Sequence, residues 1–126
     1  MKLLLDTHVL LWSLEGELAG DGAELVRERA ESVWVSAASV WETRIKASVG
    51  KLQPPARLID LVDESGFERL SITFEHAAEV GTLPLHHRDP FDRMLVAQAR
   101  LEGMTLATAD ATLASYDVPL LVMSRS

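Results

Sequence analysis

Apolar positions come in short runs separated by polar, helix-spaced stretches. Leu3–Leu5 is an apolar run ending at Asp6, after which Val9, Leu10, Trp12 and Leu14 recur at helical spacing. Gly16–Gly22 reads as a loop and Ala23–Glu31 as a helix with its charges toward water. Val33–Val35 is a second strand-like run, and Ser36 starts a stronger helix that reaches about Val49 and stops at Gly50. Beyond the Gln53-Pro54-Pro55 connection the pattern predicts a helix near Arg57–Glu64, a strand over Phe67–Ile72 and a helix near Glu75–Gly81. A loop over Leu83–Asp89 leads into a helix over Pro90–Leu101, which Gly103 ends. Thr105–Thr108 is strand-like, Asp110–Ser115 a short helix and Pro119–Met123 a last strand. Strands alternating with helices predict an α/β fold with three layers and a mostly parallel central sheet flanked by helices. No internal repeat or linker divides the chain, so residues 1–126 are expected to form a single domain.

Four acids interrupt this pattern at similar places. Asp6 ends the first strand-like run and opens a helix, and Asp110 does the same after Thr105–Thr108. Each has a plain explanation as a helix cap, because a carboxylate accepts hydrogen bonds from free N–H groups there. Each also lies where open α/β sheets bind ligands, outside the carboxyl ends of the strands. Glu42 sits at the edge of the stripe formed by Ala38, Trp41, Ile45 and Val49, so it is either solvated or carried inward. Asp92 is flanked on the helical wheel by Phe91, Leu95, Val96 and Ala99, so burying that face takes Asp92 with it. Its alternative role is to complement the dipole of the helix it begins.

An isolated carboxylate is costly to bury, and several facing one cleft repel each other. A divalent cation removes both conflicts. Cysteine is absent, which excludes disulfides, thiolate nucleophiles and cysteine zinc sites, so hard oxygen donors favour Mg²⁺ or Mn²⁺. Phosphodiester hydrolysis is the reaction such an arrangement suits best.

The segments LLLDTHVLLW, VSAASVWETRIKASVGKL, RDPFDRMLVAQA and TLATADATLASY carry these acids in order, and together they resemble a PIN-domain ribonuclease, more narrowly a VapC-type toxin of a bacterial toxin–antitoxin pair. The resemblance implies a PIN-like fold in which Asp6, Glu42, Asp92 and Asp110 bind Mg²⁺ or Mn²⁺ for RNA cleavage. It also implies a homodimer and a small antitoxin protein whose tail covers the cleft. Thr108 matches a polar position beside the fourth acid that orients a carboxylate or water. Asp89 belongs to the same RDPFDR pattern, but its place before Pro90 makes it a cap and leaves it outside the ligand set.

The net charge of −7 argues against a general nucleic-acid-coating surface, although setting the four acids aside leaves −3. It does not exclude an enzyme acting on nucleic acid. Arg44, Lys46, Lys51, Arg88 and Arg93 are the cations available to RNA phosphates, with solvated surface as their default and pairing with an acid as Arg93's alternative. His86 and His87 lack the spacing of a helical zinc pair and read as loop residues near the cleft. His8 is expected to pack on its helix, and Trp12, Trp34 and Trp41 to pack in the core or a dimer interface. Asp6 and His8 interrupt the apolar run at the start before it resembles a secretion signal, and no run approaches the ~18 residues of a membrane span. A cytoplasmic location is the expectation. Two other functions stay open: an aspartyl-phosphate phosphatase with Asp6 as nucleophile, although Asp6-Thr7-His8 lacks a second aspartate two residues on, and a non-catalytic protein-binding module.

Overall fold

The computed structural model describes residues 1–29 and 32–126. Five strands, β1 (Leu3–Leu5), β2 (Val33–Ser36), β3 (Glu68–Leu70), β4 (Thr105–Thr108) and β5 (Leu120–Val122), form one sheet in the order β3-β2-β1-β4-β5. All four neighbouring pairs are parallel. Among the described residues six α-helices accompany them: α1 (Thr7–Leu14), α2 (Gly20–Glu28), α3 (Ala37–Ser48), α4 (Leu58–Glu64), α5 (Phe74–Val80) and α6 (Pro90–Glu102), with a 3₁₀ turn over Ala111–Ser115. The expected three-layer α/β architecture is the one observed. Among the described residues no helix is long and apolar enough to cross a membrane.

A parallel sheet covered on both faces needs strands that are apolar throughout, and β1 meets that demand with three fully buried leucines. Successive side chains point to opposite faces. Leu3, Leu5, Val33, Val35 and Ala107 pack on one side with Val9 and Leu10 of α1, Val26 of α2 and Val62 of α4. Leu4 and Leu106 pack on the other with Leu95, Val96 and Ala99 of α6, and with Leu113 and Tyr116.

Element boundaries moved where pairing or capping overrode composition. The strand expected over Phe67–Ile72 shrinks to Glu68–Leu70, because β2 offers partners only from Trp34 to Ser36. The α2 helix begins at Gly20, just after Ala19 N–H is tied to the Ser124 carbonyl at 2.9 Å. Of the helix expected over Ala23–Glu31, Ala30 and Glu31 lie outside the described residues.

Topology sets where a site can form. From β1 the chain steps to β2 and β3 on one side, then crosses back to β4 and β5 on the other. The carboxyl ends of β1 and β4 therefore flank the crevice where strand order reverses. Asp6 follows β1 directly, and Thr108 is the last residue of β4.

Candidate functional site

Asp6 is the helix cap its position predicted, and its second oxygen is held at the end of β4. Its Oδ1 accepts the Val9 N–H at 2.8 Å, capping α1, while Oδ2 accepts Thr108 Oγ1–H at 2.5 Å and Ala109 N–H at 3.0 Å. The residue is 3% exposed. Burial pushes its carboxyl above the ordinary range, against the pull of the hydrogen bonds from Thr108, Val9 and Ala109. Thr108 also accepts the Asp110 N–H at 3.0 Å, so one hydroxyl ties the end of β4 to the first acid and to the backbone of the fourth.

Helix α3 faces inward differently from its hydrophobic pattern. Ser36 caps it by accepting the Ala38 N–H, as expected, but the buried side consists of Ala38, Ser39, Glu42 and Thr43. Trp41, Ile45 and Val49 are exposed, so Trp41 is not a core residue. The reason is tertiary: α3 lies against α1 and α6, where small and hydrogen-bonding side chains fit better than bulky ones. Trp41 instead meets Phe91 of α6 edge to face, with ring centroids 5.0 Å apart. Glu42 is 3% exposed; its Oε1 accepts Thr7 Oγ1–H at 2.6 Å, and its Oε2 pairs with the Lys46 ammonium. That hydrogen bond raises the Lys46 pKa and commits to Glu42 a cation that the sequence had offered to RNA phosphate. One turn earlier on the same face, the buried Ser39 hydroxyl has no hydrogen-bond partner among the described residues.

Asp92 lies on the first turn of α6 and points into the crevice. Asp89 is the cap expected of it, accepting the Phe91 and Asp92 N–H groups at 2.8 and 3.2 Å, with Pro90 opening the helix. Asp92 is pushed up to about 7, first by burial, then by the negative charges of Asp89 and Asp6; His87 opposes the rise and Glu42 adds to it. Three of the four acids thus share one electrostatic neighbourhood. Asp110 caps the 3₁₀ turn, its Oδ1 accepting Thr112 N–H and Oγ1–H at 2.9 and 2.6 Å. Those bonds, and the neighbouring His87, hold its carboxyl below the usual range.

His87 links Asp110 to Asp92. Its Nε2 lies 3.0 Å from Asp110 Oδ2 and 3.7 Å from Asp92 Oδ2. One ring nitrogen of His87 and one oxygen from each aspartate fall within 4.8 Å of one another. The sequence reading left His87 among loop residues because it lacked helical ligand spacing. The missed signal was its place two residues before the Asp89 cap, from which a ring reaches back to the capping backbone. His86 instead lies edge to face against Tyr116 at 5.3 Å. His8 is exposed with its ring 6.2 Å from that of Trp12. Among the described residues Arg93 pairs with no acid: it donates to the Pro84 and Val80 carbonyls at 2.9 and 3.0 Å and to the Tyr116 hydroxyl at 3.2 Å. A guanidinium supplies five N–H donors, and here the two terminal nitrogens reach carbonyls at the end of α5 and in the loop before α6, and the Tyr116 hydroxyl.

This donor set fits a hard divalent cation. It is rich in carboxylate oxygen, lacks sulfur, and contains in Asp92 a carboxylate that burial and the like charges of Asp89 and Asp6 raise to about 7. A five-stranded parallel sheet with acids gathered at its switch crevice defines the chain as an α/β domain with a polar, acid-lined site. The PIN domain family model matches residues 3–119, and the chain belongs to that family. No curated protein matches the chain.

Among solved structures, DNA-bound VapBC from Salmonella typhimurium is similar with a TM-score of 0.76 and 17% identity, covering 97% of this chain and 98% of that one. VapBC2 from Rickettsia felis, bound to a DNA fragment from its promoter, has a TM-score of 0.75 and 15% identity, covering 98% and 100%. The toxin-antitoxin complex from Klebsiella pneumoniae has a TM-score of 0.68 and 18% identity, covering 96% and 97%. At these identities the likeness is one of fold.

Proposed function

We propose that this chain, acting as one domain over residues 1–126, is a divalent-metal-dependent endoribonuclease and the toxin of a toxin–antitoxin pair. The observation that carries the reading is the placement of Asp92: a partly buried carboxylate raised to about 7 among Asp89, Asp6 and Glu42. Carboxylates perturbed in this way, by burial together with neighbouring like charges, cluster at functional sites. Asp6, Glu42, Asp92 and Asp110 are the residues that would hold Mg²⁺ or Mn²⁺. When bound, the cation supplies charge neutralisation at the phosphate and an acidified water as nucleophile.

The chain's own residues orient the donors. Thr108 and Ala109 fix Asp6 against the end of β4. Thr7 fixes Glu42 from the neighbouring helix. Asp92 adds a carboxylate within electrostatic reach of both Asp6 and Glu42. Rigid placement of this kind lets an acidic site bind phosphate only together with its cation, which suits a protein of net charge −7. An aspartyl-phosphate mechanism suits the site less well, because Asp6-Thr7-His8 lacks a second aspartate two residues on to serve as its acid partner.

The likeness to toxin–antitoxin complexes supports a protein antitoxin for this chain too; a homodimer and a cytoplasmic setting belong to the same proposal. The test is cleavage of RNA by the purified chain with Mg²⁺ or Mn²⁺ and with chelator. Asp6→Asn and Asp92→Asn should fold and lose cleavage, and expression of the unmodified chain should arrest growth until a small protein encoded beside it is co-expressed. Cutting by either variant at the unmodified rate removes that residue from the site. A folded wild-type chain that cuts no RNA with either metal leaves the non-catalytic module as the answer.

A further inference from the structure

By distance alone, His87 joins Asp92 and Asp110 as a third ligand of a cation. Its hydrogen bonds say otherwise. A ligating imidazole nitrogen must present its lone pair, so the proton moves to the other nitrogen, which then needs an acceptor. The other nitrogen here is Nδ1, and what faces it is a donor: the Asp89 backbone N–H at 3.2 Å. The lone pair is therefore on Nδ1 and the proton on Nε2.

That Nε2–H has two carboxylates ahead of it. Asp110 Oδ2 is at hydrogen-bonding distance, 3.0 Å, and Asp92 Oδ2 is beyond it at 3.7 Å. Asp110 Oδ1 is already held by Thr112, so the histidine bond completes the clamp on this carboxylate. The ring has little freedom to reverse. The Asp89 N–H belongs to the cap of α6, the His87 N–H donates to the Tyr116 hydroxyl at 3.0 Å, and Arg93 pins the carbonyls of the same loop.

We propose that His87 is a positioning residue, a hydrogen-bond donor to Asp110 that remains outside the coordination sphere of the cation. The inference rests on the metal-site reading above for its purpose, but the tautomer stands without it. Its consequence is an all-oxygen cation site whose fourth carboxylate is aimed by an imidazole, with the softer nitrogen donor withheld.

Three measurements on the full chain test this. Nitrogen-15 NMR of histidine-labelled, metal-free protein should show His87 as the Nε2–H tautomer; an Nδ1–H signature overturns the proposal whether or not metal binds. Pulsed EPR of the Mn²⁺-loaded chain should show no directly bound imidazole nitrogen. A ¹⁴N coupling that disappears in His87→Gln makes the residue a ligand and overturns it as well. His87→Gln, which keeps an N–H near the Nε2 position, should bind Mn²⁺ within about twofold of wild type, whereas His87→Ala should bind about tenfold more weakly, the scale of one lost charge-assisted hydrogen bond. Equal loss in both, with native circular dichroism, contradicts the donor role. If Mn²⁺ fails to bind the wild-type chain, the proposed function falls, and the NMR result still decides the tautomer.

Discussion

Replacing Asp92 by asparagine should stabilise the metal-free protein, although it removes a central group of the site. In the folded chain Asp92 is pushed up to about 7 from an ordinary 3.8, so between those values the folded state holds a proton that the unfolded chain has released. Stability therefore falls as pH rises through this window, and the full penalty is present above about 7. The difference between 3.8 and about 7 corresponds to about 4 kcal/mol at about 1.4 kcal/mol per pKa unit. The side chain is 21% exposed, and solvent screening reduces that to about 2 kcal/mol. Asparagine carries no charge and avoids the penalty.

The assay is thermal unfolding with chelator at several pH values. At pH 8 Asp92→Asn should melt about 8 °C higher than wild type, at about 4 °C per kcal/mol for a chain of this size. Near pH 4 the gap should close, because Asp92 is then protonated in the folded wild type. Added Mg²⁺ should raise the wild-type Tm at pH 8 and leave the variant nearly unmoved. A variant less stable than wild type at pH 8, or a gap that ignores pH, would refute the argument that like charge and burial govern this position.

Two further substitutions probe the groups that hold the acids. Thr108→Val removes a buried hydroxyl that donates to Asp6 and accepts from Asp110 N–H; it should cost about 2 kcal/mol in denaturant unfolding and weaken Mg²⁺ binding, and unchanged metal affinity would separate Thr108 from the site. Arg93→Lys keeps the charge but cannot span Val80, Pro84 and Tyr116 together; amide hydrogen exchange should rise across residues 80–88, whereas unchanged protection there would show that the loop is held by other contacts.

Much of the site was legible because its parts are local. Asp6, Asp89 and Asp110 stand where a strand or loop hands over to a helical turn, and capping is decided within three residues. The β1 run of three leucines was legible as a short apolar run ending at Asp6, and the sheet buries all three. What was illegible depended on partners distant in sequence. Glu42 reads as an edge residue of an apolar stripe until Thr7, 35 residues away, takes its Oε1. Arg93 reads as a partner for an acid until the loop before α6 presents its carbonyls instead.

Sequence by itself determined the alternation of strands and helices, the order of the acids and the caps at Asp6, Ser36, Asp89 and Asp110, since periodicity and capping act over a few residues. Tertiary structure alone decided which face of α3 turns inward, that Asp92 lies among other acids, and that His87 reaches Asp110 across 23 residues. The physical reason is that burial and charge coupling depend on what lies opposite in space. For this chain that is settled where β1 and β4 become neighbours, about a hundred residues apart, with Thr108 bonded to Asp6 across 102.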